Sequence, residues 1–153
     1  MKYLEINEDL RPKVVSFRGD IIVSRGQIHE IKNLNGFVFI HEEQIVACIL
    51  YKVTGQECEI VSLDSKLEGQ GIGSTLIQLV IDKAKSLDCR RIWLITSNDN
   101  IRAIKFYQKR GFDMVRIHRN AITEARKLKP SIPLFGFEGI PIKHEVEFEY
   151  IIS

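Results

Sequence analysis

The chain has 153 residues, 44% of them hydrophobic and 27% charged, with only four prolines; it can bury a core of its own, and its composition excludes the disordered, collagenous and low-complexity classes. No apolar run approaches the ~18–20 residues of a membrane span, and the start of the chain, residues 1–9, is charged where a secretion signal is apolar. The net charge of +2 argues against nucleic acid as an obligatory partner, so a single cytoplasmic domain over 1–153 is expected, with no membrane association.

In chain order, residues 3–6 read as a short strand. Asp9, ahead of Leu10-Arg11-Pro12, reads as the start of a helix running to about Arg18, before Gly19. Residues 20–35 are ambiguous, with a second short helix as one reading. Gly36–Ile40 and Ile45–Tyr51 are strands joined by the polar turn His41-Glu42-Glu43-Gln44, and Glu57–Asp64 is a third strand reached through Thr54-Gly55-Gln56. The sheet is therefore antiparallel before any helix crosses it. From Ile72 the period changes: Ile72, Leu76, Leu79, Val80, Ala84 and Leu87 share one face of a helix about four turns long. Arg91–Thr96 follows with the continuous apolar character of a buried strand. Asn100 can cap a helix across 101–110 that stops at Gly111. Phe112–His118 and Glu145–Ile152 are the last strands. Between them, 119–143 begins helix-like and turns irregular around Pro130, Pro133, Gly136, Gly139 and Pro141.

Cys48, Cys58 and Cys89 form no CxxC pair and lie in apolar stretches, which predicts buried, inert thiols in a reducing compartment. Charge is unevenly spread: residues 101–129 hold nine basic groups against Asp113 and Glu124, a local +7 that leaves −5 for the rest. Such a segment attracts a polyanion or forms a solvated helix face, and charge alone favours the second.

The segment from Leu63 to Ser74, Leu-Asp-Ser-Lys-Leu-Glu-Gly-Gln-Gly-Ile-Gly-Ser, carries three alternate glycines from a strand end directly into a helix. Glycines admit close backbone approach, and a helix N-terminus offers free N–H groups, so the loop suits a phosphate; a turn that merely packs helix on strand is the other reading. A Rossmann fingerprint fails because position 74 is serine, and a P-loop fails because no Gly-Lys-Ser/Thr closes the loop.

The loop resembles the coenzyme A loop of the GNAT superfamily of N-acetyltransferases, [Q/R]-x-x-G-x-[G/A], across Glu68-Gly69-Gln70-Gly71-Ile72-Gly73. A second block, Asn100-Ile101-Arg102-Ala103-Ile104-Lys105-Phe106-Tyr107-Gln108-Lys109-Arg110-Gly111-Phe112, is similar to that family's N-x-x-A-x-x-F-Y-x-x-x-G-F. The spacing of the two blocks, with a helix and a strand between them, is also the family's. The resemblance covers 37–118 and is weakest over 119–143. It implies an α/β fold: a mixed, mostly antiparallel central sheet splayed near its middle, with helices on both faces. It implies an acetyl-CoA-dependent N-acetyltransferase that transfers directly to a primary amine, on a small molecule or a protein, in a ternary complex, without a metal.

By the same resemblance, backbone groups of Val61, Ser62 and Leu63 would take the pantetheine arm as an added strand, with the N–H of Leu63 stabilising the oxyanion. Backbone N–H groups over Gly69, Gln70, Gly71, Ile72, Gly73 and Ser74 would hold the pyrophosphate, helped by the Ser74 hydroxyl. Asn100 would bond the arm or cap its own helix; Ala103 and Phe106 would pack beside it, and Lys105 and Lys109 would meet the ribose phosphate or stay in solvent. Tyr107 matches the family's general acid. Glu59, which shares a strand face with Glu57, is the candidate base because it sits nearer the cleft. Glu68 departs from the family's Arg or Gln and puts an anion near the phosphates. The acceptor is expected between the N-terminal helical segment and 119–143, with Arg116, His118 and Arg119 facing it if it is acidic. The four histidines are scattered, His41-Glu42-Glu43-Gln44-Ile45 lacks the second His of HExxH, and no hydrolase triad can be argued from spacing. Two other readings stay open, a non-catalytic acyl-CoA sensor and a nucleotide-binding regulator, as does a homodimer formed through the last strand.

Overall fold

The computed structural model describes residues 2–152. Seven strands form one sheet: β1 (Lys2–Glu5), β4 (Asn35–His41), β5 (Gln44–Thr54), β6 (Glu57–Ser65), β7 (Arg91–Ser97), β9 (Glu145–Ile151) and β8 (Asp113–His118), in that spatial order. Only β6 and β7 run parallel, because the connection between them is the helix α2 (Ile72–Ser86); every other neighbour is antiparallel. α2 and α3 (Ile101–Lys109) cover one face. There Ile72, Leu76, Ile77, Val80, Ile81 and Ala84 of α2 pack on Phe37, Ile49, Cys58, Ile60 and Leu94 of the sheet. Leu87, expected on that stripe, lies past the helix end and is exposed. The other face is covered by α1 (Arg11–Arg18), where Leu10 and Val14 meet Val38, Cys48, Leu50 and Val61. All three cysteines are buried and free; burial pushes the thiols of Cys48 and Cys58 up to about 12, which keeps them unreactive.

Two expectations need correction, and the placement of the last strand is a finding of its own. Asp9 does not cap α1: Leu10 occupies the cap position, and the Asn7 side chain accepts the Leu10 N–H instead. Residues 20–35 hold no second α-helix. They form a hairpin, β2 (Ile21–Ser24) and β3 (Gln27–Glu30), followed by one 3₁₀ turn at Ile31–Asn33. Its two-residue loop, Arg25-Gly26, has both residues at positive φ, the geometry that matches strand twist in a tight hairpin. The last strand, β9, is paired on both sides by β7 and β8, so it offers no edge to a second copy; the free edge there belongs to β8.

The irregular segment after β8 contains α4 (Ala121–Ala125) and a 3₁₀ turn at Phe137–Gly139. It is pinned to the corner after β7. Asn98 bonds the backbone of Pro141, Lys143 and His144, and buried Asp99 accepts the Phe137 N–H. Gly136 lies so close that a Cβ would stand 1.9 Å from Asp99 Oδ2 and 2.9 Å from Ile142. Gly136→Ala is therefore expected to cost about 1–3 kcal/mol, by displacing Asp99 from its hydrogen bonds, read as a lower midpoint of thermal unfolding.

Candidate active site

β6 and β7 hold together only from Glu57 to Ile60, opposite Arg91 to Leu94; beyond that the strands part. From Val61 onward β6 pairs only with β5, across an irregularity between Leu50 and Tyr51 that leaves Val61 without a partner there. The edge of β6 through Ser62 and Leu63 is thus open toward β7, and the Ser62 hydroxyl is buried without a hydrogen-bond partner. Such a gap lets an extended ligand add itself as a strand.

The glycine loop closes the end of this gap. Gly69 and Gly71 take φ of +74° and +73°, which only glycine adopts at no steric cost, and Gly71 turns the chain straight into α2. No side chain caps α2, and its first intrahelical bond runs from Thr75 N–H to Gly71 O. The N–H groups of Ile72, Gly73 and Ser74 are left without a helical partner, at the positive end of the helix dipole. They border a cleft of about 430 Å³ lined by the loop from Glu68 to Ser74, by Leu63 and by Ala103, Phe106, Tyr107 and Arg110 of the second motif. Gly73 lets α2 and α3 approach: a Cβ there would stand 3.1 Å from the Phe106 ring.

The second motif divides on this cleft. Tyr107 is 7% exposed, its ring held edge-on by Phe106 and Phe112 and tilted against Phe148. Burial, and to a lesser degree the Asp64 carboxylate, push its phenol above the ordinary tyrosine value, so it keeps its proton at neutral pH. Asn100 Oδ1 accepts the Ala103 N–H at 3.1 Å and caps α3, and neither Asn100, Val61 nor Ser62 lines the enclosed part of the cleft. Lys105 and Lys109 are exposed and away from it, so the basic residues on the cleft are instead Arg102 and Arg110. Arg110 was findable: it lies three and four residues after Tyr107 and Phe106 and so shares their helix face.

Glu59 faces the other side of the sheet, one residue before the strands part. Its carboxyl is 12% exposed and accepts a hydrogen bond from Ser24 at 3.2 Å; the buried His29 ring lies 3.9 Å away with Nε2 unpaired. Both partners come from the hairpin, and nothing in the sequence marks them. Burial raises Glu59 to about 7, assisted by Glu145 and Glu147 and opposed by the Ser24 bond and Lys52. Burial, then Lys52, lowers His29, which keeps that ring neutral. Glu57, its companion on the strand, is tied to Arg91 at 3.0 Å, and Arg91 also binds Glu147 and Glu149. Of the two carboxylates, Glu59 is the one left without an arginine.

Arg116, His118 and Arg119 do not make a basic wall for an acidic acceptor. His118 Nε2 stands 2.7 Å from Glu147, Arg116 and Arg119 are exposed, and the same sheet face carries Glu145, Glu147 and Glu149 from β9. Arg25 at the hairpin tip clasps Glu145 through both backbone and side chain.

A sheet opened between two parallel strands, with a glycine-rich helix start at the opening, is the architecture that the two sequence motifs implied. Residues 4–112 match the model of the "Acetyltransferase (GNAT) family", and the chain belongs to that family. It is 46% identical to the uncharacterized protein YdhI of Bacillus subtilis (strain 168) over 135 residues, 88% of this chain and 84% of that one. Its fold is shared with an IAA acetyltransferase from Bacillus cereus ATCC 14579 (TM-score 0.76, 15% identity, 99% of each chain). It is shared too with a GNAT family acetyltransferase from Elizabethkingia anophelis solved with acetyl-CoA bound (TM-score 0.70, 21% identity, 80% of this chain and 78% of that one).

Proposed function

We propose that this chain is an acetyl-CoA-dependent N-acetyltransferase that passes the acetyl group directly to a primary amine. The observation that carries the reading is the meeting of two features in one place: the open edge of β6 and a helix start with three unbonded N–H groups. In this reading the N–H groups from Gly69 to Ser74 hold the coenzyme's phosphates, and Val61, Ser62 and Leu63 take its pantetheine arm along the open edge. Asn100, its Oδ1 spent on the cap, bonds the arm through its amide nitrogen. The coenzyme brings a thioester carbonyl, and the chain supplies the proton handling around it. An acceptor amine attacks only as the neutral base, and Glu59 takes its proton, directly or through water. The Leu63 N–H meets the negative charge that develops on the carbonyl oxygen. Tyr107, protonated in the resting site, gives its proton to the departing thiolate. Glu145, Glu147 and Glu149 beneath the hairpin are already paired with Arg25, Arg91 and His118, which leaves Glu59, among the described residues, as the carboxyl there without a cationic partner to meet an amine.

The test is thiol release from acetyl-CoA with a panel of amines, beside calorimetry of CoA binding. Release with at least one amine is expected. Tight CoA binding with no release under any amine identifies a sensor instead, and binding of ATP or NAD without CoA identifies a nucleotide-responsive regulator.

A further inference from the structure

Glu68 stands where the motif calls for a cation or an amide. It forms an exposed ion pair with Arg102, 3.0 Å apart, at the lip of the cleft, so these two groups cancel. The charge that remains inside comes from Arg110, the residue that ends α3. Its Nε donates to Ser74 Oγ at 2.7 Å, its Nη1 donates to the Phe106 carbonyl at 3.1 Å, and its guanidinium lies 3.8 Å over the Phe106 ring. Among the described residues no carboxylate lies within ion-pair distance of it. Of five guanidinium N–H groups, two are engaged and three are free. A half-buried arginine held on three sides, with no anion, beside a helix N-terminus, is pre-organised for a phosphate.

We propose that Arg110 is a phosphate-binding residue of this cleft, gripping the coenzyme's pyrophosphate from α3 while the start of α2 holds it from the other side. The inference rests on the reading of the cleft as the coenzyme site. It selects the pyrophosphate over the ribose 3′-phosphate because Ser74, which Arg110 bonds, is itself one of the three residues with a free helix N–H. Because the Ser74 oxygen accepts from Arg110, its hydroxyl proton is directed away and is available to the same phosphate. The cation missing at position 68 is thus replaced from across the cleft.

Calorimetric titration with CoA, 3′-dephospho-CoA and pantetheine tests this on the wild type, Arg110→Gln and Arg110→Lys. Arg110→Gln is expected to weaken CoA and 3′-dephospho-CoA equally, by about 10- to 100-fold, and to leave pantetheine unchanged. Its dependence of affinity on salt should become shallower, and Arg110→Lys should recover part of the loss. Unchanged CoA affinity in a folded Arg110→Gln protein overturns the proposal. So does a loss seen with CoA but not with 3′-dephospho-CoA, which puts the contact at the 3′-phosphate, and so does an equal loss with pantetheine, which marks a structural role. A wild type that binds none of the three overturns the coenzyme reading itself, a result distinct from all of these.

Discussion

Tyr107→Phe is expected to lower turnover by about 10- to 10⁴-fold while the affinity for CoA barely changes. The substitution is clean because the ring, and not the hydroxyl, makes the packing. Phe106, Phe112 and Phe148 hold it at centroid distances of 5.2, 5.6 and 5.9 Å, and phenylalanine fills the same space. What is lost is only the phenol hydroxyl of a residue that lines the cleft. Burial raises the phenol above its ordinary value, so the group is fully protonated over the working pH range and no pH limb should vanish with it. Steady-state kinetics and CoA titration on the pair of proteins make the comparison. Unchanged turnover removes Tyr107 from the mechanism.

Glu59→Gln is expected to cost about 10²- to 10⁴-fold in rate and to erase a pH limb that the wild type shows. A base works only when ionised. With its carboxyl raised to about 7, wild-type activity should fall about tenfold per unit below pH 7 and level off above it, once the acceptor amine's own titration is divided out. Stability moves in the opposite sense. Because the folded value lies above the ordinary 4.5, the native state holds more protons than the unfolded chain between about 4.5 and 7. Folding stability therefore declines as pH rises through that window, and Glu59→Gln should remove that part of the slope in pH-dependent unfolding. A wild-type profile with no limb near 7, or a variant that keeps it, disqualifies Glu59 as the base.

The parts of the fold that were legible in the sequence are those fixed by local chemistry. The apolar period from Ile72 to Ala84, the continuous run Arg91–Thr96 and the Asn100 cap each report a short-range rule, and each has its counterpart in α2, β7 and α3. The hairpin at Ile21–Glu30 was not legible. Its loop is Arg25-Gly26 where Asn-Gly would have announced the turn, and its buried positions, Ile22, Ser24 and His29, are too mixed in polarity to show an alternation. The candidate site divides in the same way. The glycines were visible because the loop demands them, and Tyr107 because its block resembles the family motif. The neighbours that set the chemistry of Glu59 were not, since Ser24 and His29 arrive from 35 and 30 positions away in the chain. Likewise, the family resemblance offered Lys105 and Lys109 for the ribose phosphate, whereas the face of α3 that meets α2 belongs to Phe106, Tyr107 and Arg110.

The corner at Asn98 and Asp99 divides the molecule into a part that must stay and a part that can be exchanged. Both hooks that hold the segment after β8 are side chains outside it, and they grip mostly backbone: the carbonyl of Pro141 and the amides of Phe137, Lys143 and His144. Within the segment, Gly136 and Ile140, and Leu134 and Ile142, close the chain on itself through their own backbone bonds. Apart from Arg126, whose guanidinium donates to the carbonyls of Ile132, Pro133 and Ile142, and the buried Ala125 and Ile142, the segment exposes side chains such as Leu134, Phe135 and Phe137 that can be rewritten by selection or by a protein engineer without disturbing the hooks. The next residue after the corner is the Asn100 that starts the helix carrying Tyr107. The exposed surface of the segment can thus vary while the corner beneath it stays fixed, provided that glycine is retained at 136.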